Sequence, residues 1–135
     1  MPHVTIKETI PQDIQRVWEL VTSLTHYAWR RNIARIDVLE EGKTFVEHTR
    51  DGYSTKFTIT QLIPCAMYQF QLENQNMEGM WTGRFIKVQR GTEIEFTEQV
   101  AVKRRLLRPF AKAYLKRQQR EYVEDLKKAA LEERI

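Results

Sequence analysis

The chain has 135 residues, of which 41% are hydrophobic, 10% aromatic and 30% charged, which suits one domain with its own core and argues against disorder. The single cysteine, Cys65, excludes a disulfide framework and any multi-cysteine metal site. The net charge of +4 is unevenly spread: residues 103–120 hold eight bases (Lys103, Arg104, Arg105, Arg108, Lys112, Lys116, Arg117, Arg120) and no acid, a pattern that fits the solvated face of a helix, nucleic acid or an anionic membrane.

The opening Met-Pro-His-Val-Thr has no basic region leading into an apolar stretch. Neither a signal peptide nor a membrane span is expected, and the default location is cytoplasmic. Residues 4–10 alternate apolar and polar, which predicts a strand. Pro11 suits the first turn of a helix in which Ile14, Val17, Trp18 and Val21 recur at helical spacing through residue 24. Residues 25–32 (Thr-His-Tyr-Ala-Trp-Arg-Arg-Asn) predict another helical turn or two.

From 33 to 102 the pattern has period two, broken at Glu41-Gly42, Asp51-Gly52, Pro64, Glu78-Gly79 and Arg90-Gly91. Strands are predicted at 33–39, 43–50, 53–63, 66–75, 80–89 and 92–102, close enough together for an antiparallel meander. From 105 to 133 the period is helical, with Leu107, Phe110, Ala111, Tyr114, Leu115, Tyr122 and Leu126 on one stripe and Pro109 near the start. The whole chain, 1–135, therefore reads as one α+β domain: a seven-stranded antiparallel curved sheet around a long C-terminal helix, with two short helices after the first strand.

Hairpin register then sorts the faces. A two-residue Arg90-Gly91 turn sets Phe85 opposite Phe96, Gly83 opposite Glu98 and Trp81 opposite Val100. A Pro64-Cys65 turn sets Ile59 opposite Phe70, Phe57 opposite Leu72 and Thr55 opposite Asn74. Joining the middle strands brings Phe70 near Phe85, Leu72 near Gly83 and Asn74 near Trp81. One face then carries these apolar residues together with Ile94, Val102, Tyr53, Gln61 and Tyr68. A mid-strand carboxylate on such a face is costly unless paired or hydrated, so Glu98 stands out, and Gly83 opposite it leaves room for a ligand. For strand 43–50 two registers compete. A three-residue Arg50-Asp51-Gly52 loop turns Glu47 inward, and a two-residue Asp51-Gly52 turn does so for His48; Phe45 in phase with Glu47 favours the first.

The opening Val-Thr-Ile-Lys-Glu-Thr-Ile-Pro-Gln-Asp-Ile-Gln-Arg-Val-Trp-Glu-Leu-Val-Thr (4–22), the Met-Trp-Thr-Gly-Arg-Phe strand (80–85), Gly-Thr-Glu-Ile-Glu-Phe (91–96) and the long terminal helix resemble the SRPBCC superfamily, the START-like helix-grip fold. Tyr-Ala-Trp-Arg-Arg (27–31), residues 51–60 and Tyr-Leu-Lys-Arg-Gln-Gln (114–119) are similar to uncharacterised bacterial polyketide cyclase/dehydrase and lipid transport members. The resemblance implies a hydrophobic cavity between sheet and helix for a lipid, quinone, polyketide or similar molecule, and no single reaction. The stretch 25–33 lacks the Pro- and Gly-rich loop common in the superfamily. Trp29 and Arg30 fall where this fold closes one end of the cavity.

The expected lining is Trp29, Arg30, Thr55, Phe57, Tyr68, Phe70, Asn74, Trp81, Phe85, Phe96 and Glu98, with Phe110, Tyr114 and Gln118 from the helix. Glu98 and Glu47 are the candidate acid/base groups. Each can instead be an ordinary ion-pair partner, and Arg30 can bind either one or a ligand carboxylate. His3, His26 and His48 have no metal-ligand spacing, Ser23 and Ser54 lack nucleophile-elbow glycines, and no Gly-rich phosphate loop occurs. No metal and no cofactor are expected. The leading function is binding of a small apolar or aromatic molecule. The alternatives are a polyketide cyclase or dehydratase using inward carboxylates, and a quinone or lipid chaperone making weak contact with an anionic membrane through the basic helix start. Nucleic acid is not an expected partner, since the aromatics fall inside rather than among the arginines.

Overall fold

The computed structural model describes residues 3–132. Strand β1 (His3–Ile10) leads into helix α1 (Ile14–Thr22), whose N-terminus is capped by Asp13, its carboxylate accepting the Gln15 N–H at 3.1 Å. The apolar face of α1 buries Val17, Trp18, Leu20 and Val21. Strands β2 (Ile33–Glu40), β3 (Thr44–Thr49), β4 (Ser54–Ile63), β5 (Met67–Glu73), β6 (Met77–Val88) and β7 (Gly91–Val102) then run as a meander. With β1 beside β7, the sheet order is β1-β7-β6-β5-β4-β3-β2, antiparallel throughout. Helix α2 (Ala111–Glu132) packs across the sheet's inner face and against α1.

Two predicted helical pieces differ. Residues 25–32 form turns, not a second short helix. The Ser23 hydroxyl accepts the His26 N–H at 2.9 Å, and a side-chain acceptor placed there competes with the helical ladder. The terminal helix starts later than expected, because Arg105–Phe110 is a 3₁₀ turn. Pro109 supplies no N–H and its ring crowds the preceding turn, so the regular helix begins only beyond it.

Register differs at two hairpins, in each case by an even number of residues. Between β6 and β7 the turn is Gln89-Arg90, so Phe85 faces Ile94, Gly83 faces Phe96 and Trp81 faces Glu98. Gly91 belongs to the strand: its φ is 138°, and a Cβ there would collide with the Ile10 carbonyl oxygen. This glycine answers a close approach of the β1–α1 elbow, not a turn. Between β5 and β6 the chain reverses at 74–76, with Asn74 Oδ1 accepting the N–H groups of Asn76 (2.8 Å) and Met77 (2.9 Å). Glu78-Gly79 is thus strand, and Phe70 faces Trp81, Leu72 faces Gly79 and Tyr68 faces Gly83.

Because side chains alternate with period two, even slips keep every residue on its face. Ile59 opposite Phe70 and Phe57 opposite Leu72 are as expected. A bulge between Ile59 and Gln61 then changes the phase, and Gln61 turns out beside Gln69. Tyr53 is also exposed, in the β3–β4 loop. That loop is the three-residue alternative: Glu47 pairs with Thr55 and His48 with Ser54.

Phe45, Phe96, Ile10, Leu20, Ile94, Leu126 and Val100 are fully buried, each contributing about 1.5–3 kcal/mol of transfer free energy. On α2 the buried stripe is Ala111, Leu115, Gln119, Val123, Leu126, Ala129 and Ala130. Leu107, Phe110 and Tyr114, expected inside, lie exposed on the flank of that stripe.

Candidate functional site

The sheet and helices do not close completely on one another. A cavity of about 150 Å³ remains, lined by Val21, Ser23 and Leu24 at the end of α1, Arg30 from the following turn, aromatic side chains of β3 to β6, Glu98 from β7, and Gln118, Gln119 and Tyr122 from α2. Its walls are aromatic because inward positions of four neighbouring strands carry Phe45, Phe57, Tyr68, Phe70 and Trp81. Phe45 stacks on Phe57 with centroids 5.0 Å apart, and Phe70 stacks on Trp81 at 4.9 Å. Gly83 makes that wall possible, since the Trp81 indole lies where a Gly83 side chain would be. The glycine therefore receives an aromatic ring and does not face Glu98.

Three charged side chains reach the cavity. Arg30 is held at the turn by its N–H to Tyr27 O (3.0 Å), and the next residue, Arg31, is fastened to α2 through Asp125 and Glu124. The Arg30 fork then meets Glu47 with both nitrogens, Nη1 to Oε2 at 2.8 Å and Nη2 to Oε1 at 3.1 Å. Its guanidinium also lies 5.0 Å from the Tyr122 ring centroid. Burial alone would lower the Arg30 pKa, but Glu47 outweighs it and holds the group well above its ordinary value.

Glu98 is in the opposite condition. Among the described residues its carboxylate has no hydrogen bond and no ion pair, although it projects into the same cavity. Burial raises its pKa to about 7, and the negative charge of Glu47 adds to the shift. Tyr68 and Tyr122 contribute phenol groups that likewise lack a hydrogen-bond partner among the described residues. Burial is the main cause of the rise in both, to about 12 for Tyr122 and beyond the ordinary tyrosine range for Tyr68. One carboxyl and two phenols thus stand ready in an aromatic chamber whose only guanidinium is already engaged.

Of the expected lining residues, Arg30, Phe57, Tyr68, Phe70, Trp81, Glu98 and Gln118 line this cavity, with Glu47. The others do not. Trp29 supports Tyr122 edge-on from behind, at 5.4 Å, and its indole N–H goes to His26 O. Thr55 and Asn74 satisfy each other at 3.0 Å. Phe85 packs on Trp18 and Phe96 on Trp81 and Tyr122, in the core behind the cavity. Phe110 and Tyr114 are 67% and 44% exposed. Gln119 was not anticipated: its buried amide donates to Val4 O (3.2 Å) and Phe96 O (3.1 Å), fastening α2 to β1 and β7. Its four-residue spacing from Leu115 was the available signal. Tyr122, anticipated only as core, faces the cavity. His48 bonds Asp37 and Ser54 at 2.8 Å each, away from the lining. Among the described residues no three His, Cys, Asp or Glu side chains converge as metal ligands do, and no helix is long and apolar enough to cross a membrane.

Residues 1–131 match the family model described as polyketide cyclase / dehydrase and lipid transport. No curated protein matches the sequence at a significant level. Among solved structures, a START superfamily protein from Mycobacterium smegmatis superposes with a TM-score of 0.86 at 10% identity, covering 95% of this chain and 96% of that one. The Zhui aromatase/cyclase from a Streptomyces species gives 0.83 at 14% identity, covering 95% and 92%. A Mesorhizobium loti protein gives 0.81 at 13%, covering 98% and 99%. At such identities the likeness speaks for the fold alone.

Proposed function

Because the chain belongs to the polyketide cyclase/dehydrase and lipid transport family, we propose that it binds one small, neutral, hydroxyl-bearing aromatic molecule in the cavity between the sheet and α2. The observation that carries this reading is Glu98, an unpartnered carboxyl among aromatic rings. A carboxyl left in that state is open to a ligand donor, and a hydrogen bond to a charged group is worth about 1.5–3 kcal/mol. The phenols of Tyr68 and Tyr122 offer donors to a second ligand oxygen. Arg30 already has its counter-charge in Glu47, which takes Nη1 and Nη2, so the cavity favours a neutral ligand over an anion. A cavity of about 150 Å³ is of the size that holds a single six-membered ring. A multi-ring polyketide needs more space than that.

Calorimetric titration with phenol, 4-hydroxyacetophenone and benzene tests the reading. The hydroxylated rings should bind saturably and about tenfold more tightly than benzene. Glu98→Leu should remove that preference while leaving ring binding. Equal affinity for phenol and benzene, or no saturable binding of any ring, would discard it.

A second reading rests on Glu98 at about pKa 7. Half ionised near neutrality, the carboxyl is suited to take a proton from a carbon beside a carbonyl and return it to a departing hydroxyl, as ring closure with loss of water requires. Turnover of a monocyclic β-hydroxyketone that vanished in Glu98→Gln and followed a single ionisation near neutral pH would favour this enzyme over a carrier.

A further inference from the structure

The cavity leaves one conspicuous surface unused. The 3₁₀ turn Arg105–Phe110 buries none of its residues. Leu106 is 88% exposed, Phe110 67%, and Leu107 and Tyr114 more than two-fifths. Leu107, Phe110 and Tyr114 are three and four residues apart, which stacks them along one edge of the chain as it enters α2. Monomeric proteins seldom present such a cluster to water without a partner for it. The turn is anchored, not dangling: Arg108 Nε donates to Val102 O at 3.1 Å and Lys103 Nζ to Asn74 O at 2.9 Å. Around the apolar tips stand Arg104, Arg105 and Lys112, exposed and without an ion-pair partner among the described residues.

We propose that this turn docks the protein on an anionic phospholipid surface, with Leu106 and Phe110 inserted below the headgroups and the flanking bases at phosphate level. That occupant uses both halves of the patch. A second copy of the chain would bring Arg104, Arg105 and Lys112 against their own counterparts across a two-fold axis, with no acid between residues 103 and 120 to offset them. Nucleic acid would meet the arginines but leave Leu106 and Phe110 unrewarded. A bilayer interface rewards apolar tips and bases together. Phe110, Tyr114 and Gln118 continue at four-residue spacing from the patch to the cavity, where Gln118 donates to the Tyr114 hydroxyl at 2.9 Å and lines the wall. Docking therefore sets the α2 side of the cavity beside the membrane, within reach of apolar compounds dissolved there. The inference is independent of what the cavity binds.

Co-sedimentation of the full chain with vesicles of phosphatidylcholine, with and without phosphatidylglycerol, is the test. Binding should require phosphatidylglycerol and weaken as salt is raised. Arg104→Gln/Arg105→Gln should cost about thirtyfold, or about fivefold per base. Leu106→Ser/Phe110→Ser should cost at least about tenfold with an unchanged melting temperature, since both side chains are exposed. Absence of binding to anionic vesicles at low salt overturns the proposal. So does wild-type vesicle binding by Leu106→Ser/Phe110→Ser with equal affinity for an oligonucleotide, which would make the patch a general polyanion surface. A solution dimer dispersed by Leu106→Ser/Phe110→Ser would do the same by naming the second copy as occupant.

Discussion

Glu47 and Glu98 reach the same cavity from β3 and β7, yet their surroundings have made them different groups. Glu47 accepts from both Nη1 and Nη2 of Arg30, and the pair forms part of the chamber wall. Glu98 has no partner among the described residues and is pushed towards its neutral form. Sharing an aromatic lining, they differ only in whether a cation can reach them. The sequence offers one inward arginine near two inward carboxylates, and Arg30 chooses Glu47. One carboxylate is spent on structure, and the other is left for chemistry.

The largest expected effect breaks the satisfied side. Glu47→Gln leaves the Arg30 guanidinium buried against Tyr122 without its counter-charge. Removing one member of a buried pair costs about 3–5 kcal/mol, and denaturant unfolding should register a loss of that order. The double replacement Arg30→Met/Glu47→Leu should recover most of it, since two apolar groups need no pairing. A Glu47→Gln variant as stable as the parent would mean that the pair is effectively solvated.

Next comes the unsatisfied side, where the sign reverses. Glu98 ionises at 4.5 in the reference state and at about 7 in the fold. Below 4.5 it is protonated in both states and costs nothing. Between those values the unfolded chain releases a proton that the folded chain keeps, so stability falls as pH rises, and above about 7 the penalty is complete. It amounts to about 3 kcal/mol. Glu98→Gln should therefore match the parent in acid and exceed its stability above neutrality. The difference between the two unfolding free energies, followed against pH, isolates this group from every other titration. A flat difference would mean that Glu98 is paired or well hydrated after all.

Much of this contrast was legible before the fold was known. Glu98 sits on an apolar face whichever hairpin register is chosen, because the β5–β6 and β6–β7 slips were even and side chains alternate with period two. Which residue lies opposite was not legible: the Asn74 side chain, not the Glu78-Gly79 dipeptide, makes the turn, and Gly91 serves a contact distant in sequence, with Ile10. Glu47 was legible only as one of two alternatives, since loop length decides them and both lengths suit Asp51-Gly52. On the terminal helix Ala111, Leu115 and Leu126 fall inside as expected, whereas Leu107, Phe110 and Tyr114 do not. Phe110 and Tyr114 have the chemistry of core residues, and nothing local says that they fall beside the buried stripe instead of on it. The choice of Arg30 between two carboxylates is tertiary and could be posed, but not answered, from spacing.

The smallest effect concerns Tyr122, which touches both sides. Its ring face carries Arg30, and its edges meet Trp29 and Phe96. Its hydroxyl has no partner among the described residues. Tyr122→Phe keeps the ring and removes only the oxygen, so the satisfied pair should not notice, and stability should stay within about 0.5 kcal/mol. Phenol binding should weaken by about fivefold, the worth of one neutral hydrogen bond of ~1 kcal/mol. Melting curves and phenol titrations on the same preparation measure the two separately. A loss of stability with unchanged binding would move the hydroxyl to the structural side, alongside Glu47. Weaker binding at constant stability keeps it with Glu98, as part of what the cavity offers a ligand.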